Sequence, residues 1–422
     1  MINKKCLSLL PLILFFSLPS LAEFNVDAEV AKYLSTLTGE KLAKSNAYFE
    51  GKYWIHFWDL LIGCLIAVLF LQTKLSAKLR DISKKITRFE FVNDLSYTGM
   101  YVLVATILGL PFSFYVGYIR EHQYELSNLS LAGWFSETGK GLMVGIVITS
   151  LFIPILYKII RRFKKTWWLG GALLSISFMM IINFVFPVFL APIFNDYKPL
   201  EQGPLKKSLL SLARANGINA DNIYMFDASK QSKRISANVS GLFGTTRISL
   251  NDNLLNRSSH DEILAVMGHE MGHYSLNHTY EIIIYFGILI LMGFYFIYWV
   301  FNNLFIKSRT QWNINSTTDI ALLPLLFVTI SLFFFVISPI SNSIIRSNEV
   351  EADLYGLNSA RKPDGFASIA IMLSEYRKIS PGKWEEILFH DHPSGENRVR
   401  MAMTWKKENL NSQSSSSNKD NK

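Results

Sequence analysis

The chain has 422 residues, enough for two or three soluble domains, yet half of them are hydrophobic and only 18% are charged, below the roughly 25% usual in soluble proteins. That balance excludes an ordinary soluble enzyme and points to a polytopic membrane protein. The formal charge of +9 does not indicate a nucleic-acid partner, because the basic residues gather in short links between apolar runs, where they set membrane orientation. The two cysteines, Cys6 and Cys64, lie in apolar N-terminal segments, so neither a disulfide framework nor a cysteine zinc cage can be built, and any metal must rest on His, Asp and Glu.

The first residues, MINKKCLSLLPLILFFSLPSLAEF, combine a basic start, a short apolar core with Pro11, and small residues Ser20 and Ala22. This pattern predicts a signal peptide over 1–22, against the competing reading of an uncleaved first helix. Six apolar segments then follow at 55–72, 97–118, 140–160, 168–190, 280–303 and 320–340, where a span needs about 20 residues to cross about 30 Å of hydrocarbon. Lys74, Lys78, Arg80, Lys84, Lys85 and Arg88 follow the first, Lys158, Arg161, Arg162, Lys164 and Lys165 the third, and Lys307 and Arg309 the fifth. By the positive-inside rule these links are cytoplasmic, which puts 23–54, 119–139, 191–279 and 341–422 outside. A signal delivering the mature N-terminus outward gives the same topology. The expected location is a bacterial inner membrane, with membrane lipid as a partner and the large polar segments on the periplasmic face.

Four spans make an N-terminal membrane domain over 23–190. Residues 191–408, holding the last two spans, form the second domain, and the polar stretch 409–422 reads as a disordered tail. Within 191–279 the pattern is a small α/β unit. PLKKSLLSLARANG is helical and ends at Gly217, NIYMFDAS is a strand, and RISANVSGLFGTTRISLND is two strands joined through Gly241 and Gly244. Ser259 and Glu262 form a capping box that opens the helix carrying GHEMGHYSLNH.

In that helix His269 and His273 project from one face a turn apart and can share one metal, while Glu270 sits beside it, where it can deprotonate a bound water. The apolar run YEIIIYFGILILMGFYFIYWV follows at once, so the motif helix is expected to continue into a span. Two histidines leave a catalytic zinc one protein ligand short. In SNEVEADLYG, Glu349 and Asp353 share a helical face at i, i+4 while Glu351 points away, making Glu349 the third ligand and Asp353 its neighbour, orienting a zinc histidine. A third element, FHDHPSGENRVRMAM, carries His390, His392, Arg398 and Arg400. Its imidazoles and guanidiniums can stabilise an oxyanion or can equally be a polar loop before a basic helix.

HEMGHYSLNH, NEVEAD, DHPSGENR and PIFNDYKPLEQGPLKKSLLSLA together resemble the type 1 CAAX prenyl endopeptidases, membrane zinc proteases of the gluzincin kind, over most of residues 25–405. The resemblance implies a mainly α, polytopic fold: a ring of transmembrane helices around a chamber, with a small α/β zincin-like catalytic region. It implies one zinc held by His269, His273 and Glu349, with Glu270 as base, Asp353 as an acidic partner often assigned as proton donor, and His392 and Arg398 near the site. Asn238 falls on the strand that would meet the main chain of a protein or peptide substrate. Eukaryotic relatives place the site on the cytosolic face, whereas the charge bias here places it outside. The function expected is a membrane-embedded zinc metalloendopeptidase acting on membrane-associated, apolar or lipidated peptides. The alternatives are a metal transporter, which would need ionisable residues deep in several spans, and a non-cleaving scaffold, which would have lost Glu270.

Overall fold

The structure, a computed structural model, describes residues 24–240, 246–304 and 306–417. The signal peptide expected over 1–22 lies outside them. Among the described residues six helices are long and apolar enough to cross a membrane: Gly39–Gln72, Glu90–Gln123, Leu131–Arg162, Trp167–Phe194, His278–Asn303 and Ile320–Ala360. With one four-stranded sheet they give the mainly α, polytopic architecture expected. The first of these helices is called α1 (Gly39–Gln72).

Three basic links gather at one end of the bundle. Arg80, after the first span, pairs with Asp319 and donates to the Asn313 carbonyl at 3.2 Å, both beyond the fifth span. Arg161 closes the third span and donates to Asp94, at the start of the second, at 3.0 Å. Buried aromatic residues, among them Phe70, Tyr97, Tyr157, Trp167 and Phe301, fill the space between the spans above these pairs.

The sheet comprises β1 (Tyr197–Pro199), β2 (Ile223–Phe226), β3 (Ala237–Ser240) and β4 (Arg247–Asn251), with α2 (Pro204–Ala215) between β1 and β2. The order is β1-β2-β4-β3. β2 and β4 run parallel with Ile223 opposite Ile248, and β3 is antiparallel to β4 with Asn238 opposite Ser249. This leaves β3 as an edge. α2 ends as expected, with Gly217 in the left-handed region at φ +71°, where glycine carries no Cβ penalty.

The motif helix α3 (His260–Ser275) lies against this sheet. Its apolar residues Ile263, Met267 and Met271, spaced by four, pack on Ile223, Ile248 and Leu250 of the sheet and Leu209 and Ala213 of α2. Each such buried side chain contributes about 1.5–3 kcal/mol. The spacing that buries this stripe turns His269, Glu270 and His273 to another face. α3 does not continue into the span as expected. It ends at Ser275, and Asn277 takes a left-handed conformation at φ 62° before α4 (His278–Asn303) begins. Asparagine tolerates that conformation better than most residues.

The opposite departure occurs in the last span. α5 (Leu323–Ala360) is one helix of 38 residues, running well past the apolar segment. No glycine or proline interrupts 341–355, and outside lipid a polar helix carries no desolvation penalty. From Leu323 to Glu349 it rises about 39 Å at 1.5 Å per residue, more than the roughly 30 Å hydrocarbon core. The acidic motif therefore stands at the end of the bundle opposite the basic links. Beyond α5 come α6 (Pro363–Leu373) and α7 (Gly395–Ser417), which pack through Phe366, Ala367, Val399 and Ala402. Among the described residues α7 runs past 409 to Ser417, since a formed helix extends at little cost per residue, and the rest of the tail expected over 409–422 lies outside them.

α3 and α5 cross in backbone contact. A Cβ on Gly356 would lie 2.7 Å from the His269 nitrogen, and one on Gly272 would lie 3.0 Å from the Ala352 Cα. A Gly356→Ala substitution should cost about 1–3 kcal/mol through overpacking and lower the thermal midpoint of the detergent-purified protein. An unchanged midpoint would show that the crossing has slack.

Candidate metal centre

The capping box forms as expected: Ser259 N donates to Glu262 Oε2 at 2.6 Å, and Glu262 N donates to Ser259 Oγ at 3.4 Å. Asp261 and Glu262 also place negative charge in the first turn, at the positive end of the helix dipole.

About two turns on, His269 Nε2 and His273 Nε2 lie 3.1 Å apart. Glu349 on α5 sets Oε2 3.3 Å from His269 Nε2 and Oε1 3.3 Å from His273 Nε2. Three residues thus bring lone-pair atoms to one point, an arrangement that repels itself unless a proton or a metal cation sits among them. Tetrahedral zinc with bonds of about 2.0–2.1 Å has ligand–ligand edges of about 3.3–3.4 Å, so the residues present fit such an ion. Its fourth position would face a cavity of about 200 Å³ bordered by Ala237, Val266, Glu270, Phe366, His392 and Arg398.

Asp353 is fully buried, with Oδ1 2.7 Å from His269 Nδ1. Holding the ring proton there leaves Nε2 bare for a metal. Arg398 grips Asp353 from the other side. Its Nε donates to Oδ2 at 2.8 Å and its Nη2 to Oδ1 at 2.7 Å, while the same Nη2 reaches Glu349 Oε2 at 3.3 Å. Arg398 is therefore a bidentate clamp behind the ligands rather than a free donor over the cavity. His392 does face the cavity, with Nε2 3.3 Å from Glu349 Oε2 and Nδ1 2.7 Å from Asp391 Oδ1.

The other candidates lie elsewhere. His390 is buried against Phe49, their ring centroids 4.3 Å apart, and Arg400 is exposed and paired with Asp27. On β3, Ala237 borders the metal cavity, whereas the side chain of Asn238 borders a separate one with Tyr197 and Arg247, as strand alternation requires.

One residue escaped the sequence reading. His278, the last histidine of the quoted motif, is buried with Nδ1 2.9 Å from His273 Nδ1 and Nε2 3.5 Å from Glu351. Helical periodicity could not place it at the site, because the helix breaks at Asn277 before it. The only signal was its position five residues after a ligand.

A two-histidine, one-glutamate centre on a polytopic helical frame defines a multi-pass membrane metalloendopeptidase. Residues 199–406 match peptidase family M48, and residues 24–196 match the family described as CAAX prenyl protease N-terminal, five membrane helices. The chain belongs to the M48 family of metalloproteases, in the CAAX prenyl protease 1 group. The uncharacterized metalloprotease YhfN of Bacillus subtilis is 28% identical over 87% of each chain. CAAX prenyl protease 1 of Saccharomyces cerevisiae is 29% identical over 64% of this chain and 59% of its own length, and the Dictyostelium discoideum homolog is 30% identical over 63% and 62%. This chain thus spans about three fifths of those two enzymes. The crystal structure of S. mikatae Ste24p has the same fold, with a TM-score of 0.71 at 22% identity over 89% of this chain and 94% of that one. The family implies a metal cofactor, peptide or protein substrates and a membrane setting. The metal-transporter alternative gains no support, since the ligands close on one point instead of lining a path.

Asp353→Asn should weaken metal binding about 10- to 100-fold, as loss of a group orienting a ligand typically does. Competition with a chelator measures this, and unchanged affinity would show that Asp353 does not orient His269.

Proposed function

We propose that this protein is a zinc metalloendopeptidase of a bacterial inner membrane, with its site open to the periplasmic face and substrates whose apolar or lipid-bearing part stays in the membrane. The observation that carries this reading is Glu270 beside the His269–His273–Glu349 triangle: its carboxylate lines the cavity and takes no hydrogen bond among the described residues. Burial pushes its carboxyl above the ordinary range, opposed by His269 and His273, which suits a base working near neutral pH. A two-histidine, one-carboxylate set is typical of catalytic zinc, which when bound acidifies water and polarises a peptide carbonyl.

Glu270 takes the proton from the attacking water and passes it to the leaving amine. Asp353 is sealed behind His269 with both oxygens engaged, which supports an orienting role over that of proton donor. His392 faces the oxyanion. Burial, the larger influence, holds its imidazole below the ordinary range against the pull of Asp391 at Nδ1. The substrate main chain adds as a strand along the free edge of β3, where Ile235, Ser236 and Ala237 border the cavity. Asn238 serves through its main chain, its side chain reading the far face of the strand. α4 and α5 lead from the site directly into the spans, so a substrate anchored in lipid can reach the metal.

Two outcomes are expected. Glu270→Gln should keep its zinc and lose about 10²–10⁴-fold in cleavage of a mixed peptide library, and undiminished cutting would sink the mechanism. In a background lacking Cys6 and Cys64, a membrane-impermeant maleimide should label Lys383→Cys in intact cells and Lys85→Cys only after permeabilisation. The reverse pattern would overturn the periplasmic assignment.

A further inference from the structure

A second cavity, of about 230 Å³, adjoins the metal cavity and shares Tyr376, Arg377, His392 and Arg398 with it. Its wall is rich in cations, most of which have partners. Arg398 clamps Asp353 and Glu349, Arg234 donates to Glu121 at 2.6 Å and to the Tyr48 hydroxyl at 2.8 Å, and Lys378 pairs with Glu50 at 2.6 Å and Glu385 at 2.8 Å. Arg377 and Lys52 differ. The Arg377 side chain makes one polar contact, from Nη2 to His392 Nε2 at 3.3 Å. The Lys52 ammonium stands 5.0 and 5.1 Å from the Tyr48 and Phe49 ring centroids. Among the described residues neither forms an ion pair. The carboxylate in the wall, Asp391, is engaged by His392.

Arginine cannot shed its charge at any working pH, so the charge stays despite the burial and the neighbouring Arg398 that weigh against it. The cavity is also held rigidly. Ser45 Oγ on α1 donates to the Arg377 carbonyl at 3.1 Å, and Tyr53 stacks on Phe389 at 4.1 Å, fixing the outer end of α1 against the 374–395 segment. A rigid, positively charged chamber beside a peptide-cutting centre has the chemistry of a carboxylate site, because a guanidinium meets a carboxylate with two parallel hydrogen bonds.

We propose that this cavity is a subsite for a carboxylate of the substrate peptide, held by Arg377 and Lys52, which directs cleavage to bonds within about two residues of that carboxylate. The distance follows from the site. His392 Nε2 is 3.3 Å from both Glu349 Oε2 and Arg377 Nη2, and each residue of an extended peptide spans about 3.3–3.6 Å. The carboxylate is either the chain terminus or an Asp or Glu side chain. The proposal rests on the peptidase reading above.

The test uses zinc-loaded Glu270→Gln protein and fluorescein-labelled decapeptides of neutral composition in three forms: free C-terminus, C-terminal amide, and amide with one internal Glu. One carboxylate form should bind about 10- to 100-fold tighter than the plain amide, the worth of a charge-assisted hydrogen bond, and which form it is identifies the source. Arg377→Met in the same background should abolish the difference, and Arg377→Lys should restore part of it. Zinc content reports whether each variant is folded, and if Arg377→Met loses zinc, Lys52→Met decides by the same criterion. Equal binding of all three peptides, or a preference that survives substitution, overturns the subsite. Cutting by the wild type is scored separately: its absence counts against the peptidase reading, whereas cutting without a carboxylate preference counts against the subsite alone.

Discussion

The site depends on two helices touching backbone to backbone. Glycine in a helix interior costs about 0.5–1 kcal/mol relative to alanine, yet Gly268 and Gly272 of α3 and Gly356 of α5 meet where a Cβ on Gly356 would collide with the facing main chain and one on Gly268 or Gly272 would press to 3.0 Å from its neighbours. That approach lets the short carboxylate of Glu349 span the two histidines and puts Asp353 directly behind His269. A crossing at an ordinary interaxial distance of about 8–10 Å would separate the ligands. The conformational cost of the glycines is offset by a metal centre that needs no long, mobile side chains.

Burying charge in such a crossing is expensive unless each group is paired. Asp353 is satisfied by Arg398 and His269, and Glu349 by Arg398, His392 and the two ligand histidines. Glu270 alone is left without a hydrogen bond among the described residues, and it is the group to which the proposed mechanism assigns the proton transfer. His278 extends the same order to the membrane side: its ring braces His273 from the first turn of α4, so a span is tied directly to the candidate metal centre.

The membrane frame sets where this chemistry happens. The basic links converge at one end through Arg80–Asp319 and Arg161–Asp94, and α5 carries Glu349 to the other. Because α1 also reaches past the spans to wall the cationic cavity, the N-terminal membrane domain is part of the site's surroundings and not merely an anchor.

Much of this was legible in the sequence because it is encoded locally. The six spans follow from runs of apolar residues, α3 from its period and capping box, β2, β3 and β4 but not the three-residue β1 from strand signals, and the sharing of one face by Glu349 and Asp353 from 3.6 residues per turn. What escaped depended on contacts between distant segments. The break at Asn277 and the uninterrupted length of α5 were hidden because apolarity marks a membrane and not the end of a helix. The conversion of Arg398 from candidate oxyanion donor to clamp, the placing of His278 against His273, and the meeting of Lys52 with Arg377 pair residues from separate elements. No period within one element specifies which partner an element will meet, so the sequence by itself determined the elements and the chemical groups they carry, while tertiary packing decided which groups face one another.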